Sequence, residues 1–254
     1  MSENILSIFK KDLGYVNATN QYVELSIRIT EKEHGTDLKN NLQNLAESVN
    51  LHLSTLAEDY MCRISKSYIV NIHSCFENFL KSFKDLPGSP TNTTQIKKSN
   101  DDWLEWTLNI AFSNREIGIK NDISICKYYR LIRNHIVHNN REPSAALKTK
   151  FSSIKATDNP RLNAPNGLDS LTFDDQVLFS RATYNVAKYI FNNSHYDINA
   201  IIQANRESWI KLIKPFQEPG SHSRAIKKLE YLIGLSYPKL RDVNWEQTVF
   251  TLFN

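Results

Sequence analysis

Apolar residues recur every three or four positions through most of the chain beyond residue 36, and this spacing constrains the fold most. Side chains three and four apart share one face of an α-helix, so each such stretch predicts an amphipathic helix. With 41% hydrophobic residues, the chain can build a core around these faces. We therefore expect a mainly α fold, with a helix starting at residue 101 and others over residues 36–56, 65–83, 122–139, 173–191, 197–213 and 222–235.

Residues 22–30 depart from this spacing. Val23, Leu25, Ile27 and Ile29 alternate with more polar residues, a period of two that is typical of a half-buried strand. The asparagines in residues 17–20 offer a turn before it. We therefore predict a short β-hairpin and assign residues 1–35 to an N-terminal hairpin extension.

Two stretches lack periodicity. Residues 86–100 and 141–171 are interrupted by proline and glycine and predict inserted loops. The second is long for a loop, which favours a functional role, so we expect it to face a substrate.

Charge and cysteine content exclude few functions. The net charge of +4 is compatible with a polyanionic partner but is not typical of a dedicated nucleic-acid coat protein. The odd number of cysteines, three, and their spacing favour reduced thiols and a cytoplasmic protein. Residues 1–10 do not resemble a leader, and no apolar run approaches about 18 residues, so we expect neither secretion nor membrane insertion.

The helix predicted over residues 122–139 separates polar from apolar side chains. At about 100° per residue, Arg133, Asn134, Val137 and His138 fall on one half of the helical wheel. The opposite half is apolar and is expected to pack into a bundle; it holds Ile125, Tyr128, Tyr129, Leu131, Ile132 and Ile136. The polar half is therefore available for a site, while His135 lies at the margin of the apolar half and is interpreted as structural.

The polar half carries the groups that RNA cleavage needs. Histidine exchanges protons near neutral pH, so His138 is the candidate acid-base group for a ribose 2′-hydroxyl. Arginine offers a permanently charged fork of donors, which suits Arg133, helped by Arg130, to a phosphate and its transition state. Asn134 is expected to orient the imidazole or donate to a phosphate oxygen. Attack of the 2′-oxygen requires RNA and leaves a cyclic phosphate.

The order Arg133-Asn134, three residues, His138 resembles the signature of HEPN ribonucleases over residues 131–140. This resemblance implies a HEPN-like helical bundle with additional C-terminal helices, no cofactor, and a homodimer whose two motif helices form one composite, metal-free RNA-cleaving cleft. It also implies a toxin or antiphage-defence effector with an antitoxin or defence-system partner protein. In some relatives a modified tyrosine lies two places after the histidine; Asn140 stands there, so that regulation is not expected.

A second segment, residues 74–81, resembles the family's helix whose acidic residue faces the motif arginine. Glu77 is therefore a second-tier site residue. The resemblance assigns residues 36–195 to the bundle and leaves residues 196–254 as a C-terminal helical extension.

Alternative interpretations remain for several residues. His135 and His138 with Glu142 would make a poor metal site, so no metal is expected. Residues 120–155 hold eight Lys or Arg and two acidic residues, which indicates either a surface that binds RNA phosphates or a solvated face. The candidate RNA contacts in this run are Lys127, Arg141, Lys148 and Lys150. Asp174 and Asp175 are interpreted as helix-capping residues, and an inactive HEPN-like interaction or RNA-binding module is the alternative function.

Overall fold

The computed structural model of the chain describes residues 4–34, 38–52, 60–92, 102–113, 117–138, 145–154, 161–216, 221–238, 240 and 243–253. These ranges contain helices and turns and no strand, which confirms the mainly α prediction. A short 3-10 helix covers Lys214–Phe216. The α-helices are α1 Ile5–His34, α2 Leu38–Ser48, α3 Tyr60–Asp85, α4 Trp103–Phe112, α5 Lys120–Val137, α6 Ala145–Ser153, α7 Phe173–Asn193, α8 Ile198–Ile213, α9 His222–Gly234 and α10 Trp245–Phe253.

The predicted N-terminal β-hairpin is wrong, because residues 22–30 lie inside the 30-residue helix α1. Glu24 accepts a hydrogen bond from Arg28 at 2.8 Å, a contact between residues four apart that a helix makes and a strand cannot. Asn20 is buried and Asn17 bonds to another helix, so neither asparagine forms the expected turn. The alternating apolar residues are also four apart in pairs, and a helix with apolar side chains on more than one side satisfies the same pattern.

Two other helix predictions need correction. Helix α2 ends at Ser48, and residues 49–52 are not helical, whereas a helix was predicted to residue 56; residues 53–59 lie outside the described ranges. Helix α6 lies within residues 141–171, which were predicted to be a loop. Its single buried side chain is Leu147, which explains why it has no clear apolar period.

Helix starts are encoded locally by aspartates. Asp102 accepts a hydrogen bond from Leu104 N at the start of α4, and Asp197 accepts bonds from Asn199 N and Ala200 N at the start of α8. These side chains satisfy amide groups that have no partner within the first helical turn.

The chain divides into two compact units. The terminal unit consists of Met1–Lys10, Phe76–Ile119 and Tyr184–Asn254. The motif unit consists of Lys11–Cys75 and Lys120–Thr183. The expected domain boundaries near residues 35 and 195 stay a prediction.

The terminal unit is held by aromatic contacts and a helical cluster. Phe83 meets Tyr196 edge to face at 6.2 Å, and Tyr196 meets Tyr237 at 5.6 Å. Gly88 has φ of 72°, and a Cβ there would approach Asp197 O to 2.5 Å, so only glycine fits this turn. Helices α8, α9 and α10 share one core of Ile201, Ile202, Trp209, Ile213, Ala225, Leu229, Ile233, Tyr237 and Leu252.

The motif unit packs α5 among apolar side chains of its own. Tyr129 lies against Phe179 of α7 with ring centroids 4.9 Å apart, and Tyr68 of α3 meets Phe173 edge to face at 6.2 Å. These contacts position α5, which carries the predicted motif. No helix in the described ranges is long and apolar enough to span a membrane.

Candidate functional site

Helix α5 presents its motif at its C-terminal end. The side chains buried along it are Ile125, Cys126, Tyr128, Tyr129 and Ile132. Val137 and His138 are exposed, and Arg133 and Asn134 are half-buried between the two faces. The helix is therefore divided much as the wheel predicts, although Leu131 and Ile136 are only half-buried.

The buried side of α5 is fixed by one fully buried carboxylate, Asp175. Tyr129 Oη donates to Asp175 Oδ1 at 2.7 Å, and the backbone amides of Asn166 and Thr172 donate to the carboxylate at 2.7 and 2.8 Å. Burial first, and then Asp175, raise the pKa of Tyr129 well above its ordinary value, so its hydroxyl stays a donor. Asp175 thus ties α5, the segment before α7 and α7 itself together.

Tyr128 makes a second tie to the same segment. Its Oη donates to the backbone carbonyl of Asn166. Burial, followed by the charge of Asp175, raises the pKa of Tyr128 far above its usual range. Two consecutive tyrosines therefore hold one loop against the helix that carries the motif.

The capping interpretation of the paired aspartates is confirmed for Asp175, whereas Asp174 bonds to a residue outside the helix. Thr172 N donates to Asp175, three residues later, in the manner of a capping box. Asp174 Oδ2 accepts a hydrogen bond from Asn163 N at 2.8 Å. The sequence spacing from Thr172 to Asp175 indicates this cap, but it does not indicate that Tyr129 reaches the same carboxylate.

Arg133 has one bonded donor and one buried donor that no described residue bonds. Its Nη1 donates to Asn134 Oδ1 at 3.1 Å. Its Nε is buried and has no hydrogen-bond partner among the described residues. An unmade hydrogen bond on a buried cationic donor is costly, and an anion at this position would relieve that cost.

The contact between Arg133 and Asn134 gives the asparagine a specific role. Its carbonyl oxygen is engaged by the guanidinium, so the side chain orients Arg133. The sequence predicts Asn134 as a partner of the imidazole or of a phosphate and does not indicate this contact, because neighbours in sequence seldom face each other on a helix.

His138 extends α5 by one hydrogen bond and is open to solvent. Its backbone N–H donates to Asn134 O at 3.0 Å, so the residue stays in register with the helix although it lies just past its last residue. The exposed imidazole is accessible to a substrate. His135 is half-buried, and its Nδ1 is buried without a hydrogen-bond partner in the described part of the chain.

The predicted RNA-contacting cations differ in their surroundings. Lys148 is exposed on α6, whereas Lys150 Nζ donates to Ser124 Oγ of α5 at 3.4 Å. Lys127 and Arg130 are half-buried on α5. Arg141 lies outside the described residues.

A cavity of about 360 Å³ opens beside Lys148. The ring of Phe151, a residue that is 41% exposed, stacks on Tyr128 at 5.6 Å, and both residues line the cavity together with Lys148. Aromatic faces and cations are the groups that bind bases and phosphates of single-stranded RNA. The cavity is lined by Tyr128, Leu147, Lys148, Phe151, Gly167, Leu168, Asp169 and Ser170.

Glu77 lies on α3 in the terminal unit, half-buried. Its carboxylate pairs with Lys81 Nζ at 2.8 Å, one turn along the same helix. That Glu77 faces Arg133 stays a prediction. Within the described ranges no three His, Cys, Asp or Glu side chains cluster as a metal site would require.

The residues that the structure itself brings together on α5 are therefore Arg133 and Asn134, with His138 one turn further along an exposed helix end. Comparisons of the chain with protein-family profiles, with curated proteins and with solved structures gave no match.

Proposed function

We propose that the chain is an endoribonuclease that cleaves RNA without a metal, using Arg133 and His138 on α5. The observation that carries this proposal is the buried Nε of Arg133, which has no hydrogen-bond partner among the described residues. A phosphate oxygen would complete this donor and suits the charge and geometry of a guanidinium.

The reaction follows from the chemistry of the two side chains. His138 removes the proton from a ribose 2′-hydroxyl, and the 2′-oxygen attacks the adjacent phosphorus. Arg133, oriented by Asn134, stabilises the charge on the pentavalent phosphorane. The bond to the 5′-oxygen breaks, that oxygen takes up a proton, and the products are a 2′,3′-cyclic phosphate and a 5′-hydroxyl end.

A homodimer with a composite site is part of the proposal. One motif helix supplies a single His138, whereas the reaction uses one group to remove a proton and another to return one. Two copies of the chain would supply two His138 side chains, one for each proton transfer. The expected biological role, as a toxin or antiphage effector regulated by a partner protein, rests on the resemblance of residues 131–140 to HEPN ribonucleases.

The test is incubation of the purified chain with RNA in the presence of a chelator, followed by mapping of the new ends. We expect 2′,3′-cyclic phosphate ends with the wild-type chain, and their loss in Arg133→Ala and His138→Ala. Arg181→Ala and His195→Ala are matched controls, because both residues are exposed on or beside α7, away from the motif sequence.

Two results would contradict the proposal. RNA that stays uncut, or cleavage that survives both motif substitutions, would exclude Arg133 and His138 as the catalytic pair. A shift of RNA mobility without new ends would instead support the alternative, an RNA-binding module that uses Arg133 as a phosphate clamp.

A further inference from the structure

Helix α1 carries a stripe of large apolar side chains on its outward side. Tyr15 is 63% exposed, Tyr22 72%, Leu25 55% and Ile29 46%. Relative to Tyr15, the other three lie at about −20°, −80° and −40° on the helical wheel, so all four share one face. Soluble proteins seldom leave so many large apolar side chains together in water.

The opposite side of α1 is packed within the motif unit. Leu13, Asn20 and Glu24 are buried there. From the same side, the Arg28 guanidinium lies 6.0 Å from the centre of the Phe173 ring. A helix with apolar side chains on both sides is typical of one that is covered on both.

The spacing of the stripe identifies the kind of partner. Tyr15, Ala18, Tyr22, Leu25 and Ile29 are separated by three, four, three and four residues, which is the heptad pattern of helices that pair along a seam. A second helix with the same repeat is the partner that such a seam fits. The nearest source of one is a second copy of this chain.

The ends of the stripe indicate the direction of pairing. Lys11 and Glu33 lie at about −40° and 0° on the wheel and therefore share the face with the apolar residues. Both are exposed. An antiparallel pair brings the Lys11 end of each copy towards the Glu33 end of the other, whereas a parallel pair brings like charges together.

The area is sufficient for a modest interface. The exposed portions of the four large side chains amount to about 500 Å² on each copy. Over two copies this is about 1,000 Å², close to the lower limit for a specific association.

We propose that two copies of this chain pair antiparallel through the outward stripe of α1, formed by Tyr15, Ala18, Tyr22, Leu25 and Ile29. The interface uses no residue of the Arg133 and His138 site. It is therefore a contact separate from the pairing of motif helices in the proposed function, and RNA cleavage does not test it.

The first experiment measures mass by sedimentation equilibrium across micromolar concentrations. We expect a dimer for the wild-type chain, and a dissociation constant at least about 100-fold higher for Tyr22→Glu, which places a charge at the centre of the seam. Leu212→Glu, an exposed apolar position on α8, is the matched control and is expected to stay dimeric. Far-UV circular dichroism confirms that each variant is folded.

The second experiment tests the direction. Lys11→Glu is expected to weaken the dimer about tenfold, and adding Glu33→Lys is expected to restore it, because each altered charge then meets its opposite. A wild-type monomer would overturn both this pairing and the composite site, whereas a dimer that Tyr22→Glu leaves intact would overturn the pairing through α1 alone. A dimer that is disrupted by Tyr22→Glu, but not rescued by the double charge exchange, would overturn the antiparallel arrangement.

Discussion

Two successive turns of α5 differ in how their polar groups are satisfied. In the first, Tyr129 donates to Asp175, a carboxylate that also accepts from Asn166 and Thr172. In the second, Arg133 bonds to Asn134 through Nη1, while its buried Nε has no hydrogen-bond partner among the described residues. The Tyr129 turn is tied to α7 and to the loop before it, whereas the Arg133 turn carries a buried donor that no described residue bonds. This difference separates a structural cluster from a candidate binding site on one helix.

The largest expected effect is the loss of RNA cleavage when Arg133 is replaced. Arg133→Ala should lower RNA cleavage about 1,000-fold, because it removes the group that stabilises the phosphorane. The free energy of unfolding should change by less than about 1 kcal/mol, because the lost side chain includes an unmet buried donor. Single-turnover cleavage and urea denaturation measure the two quantities. A large loss of stability would mean that Arg133 belongs to the structural cluster.

The opposite result, a loss of stability, is expected when the Asp175 cluster beside Tyr129 is altered. Asp175→Asn should lower the free energy of unfolding by about 3 kcal/mol, because the new amide faces donors that the carboxylate accepted. Asp174→Asn, whose carboxylate accepts one described backbone bond from Asn163, is the control and should cost about 1 kcal/mol. Urea denaturation distinguishes them. Equal effects would show that the Asp175 cluster is not what fixes α5.

A smaller effect is expected from the lysines of α6. Lys148→Ala should weaken RNA binding several-fold and reduce its salt dependence by about one counterion, as loss of a phosphate contact does. Lys150→Ala should have less effect on binding, because Lys150 bonds to Ser124 and acts within the motif unit. Fluorescence anisotropy at several salt concentrations makes the comparison. Equal salt slopes for both variants and the wild type would mean that the lysines of α6 do not contact the RNA.

The smallest effect concerns the hydroxyl of Tyr68, a neutral group in the motif unit. The hydroxyl of Tyr68 is buried without a hydrogen-bond partner in the described ranges. Burial, and then Glu24, raise the pKa of Tyr68 from 10.0 to about 12. Between these values the unfolded chain loses a proton that the folded chain keeps, so stability falls as pH rises.

Tyr68→Phe should therefore make the loss of stability between pH 10 and pH 12 shallower. At neutral pH it should change the free energy of unfolding by less than about 1 kcal/mol, since only an unpaired hydroxyl is removed. Thermal melts across this pH range measure both. An unchanged alkaline slope would show that the Tyr68 hydroxyl titrates alike in the folded and unfolded chain.

The helices were predictable where a single face is apolar or an aspartate caps the start, as in α5 and α8. The β-hairpin prediction was wrong at α1, because the apolar residues of this helix lie on two of its sides and also fit the period of a strand. The spacing of Arg133 and His138 on one helix predicts a site there, and that assignment stays a prediction. The sequence did not identify the Tyr129 contact with Asp175, which joins residues 46 positions apart and depends on tertiary packing.

The most direct test of the central claim is cleavage of an RNA that carries a single 2′-deoxy nucleotide at the mapped cut site. In chelator, the chain is expected to cut the all-ribose strand to a 2′,3′-cyclic phosphate and to leave the substituted bond intact, because the nucleophile is missing. Cleavage of the substituted bond, or of neither strand, would contradict an α5 site in which His138 activates a 2′-hydroxyl and Arg133 holds the phosphate.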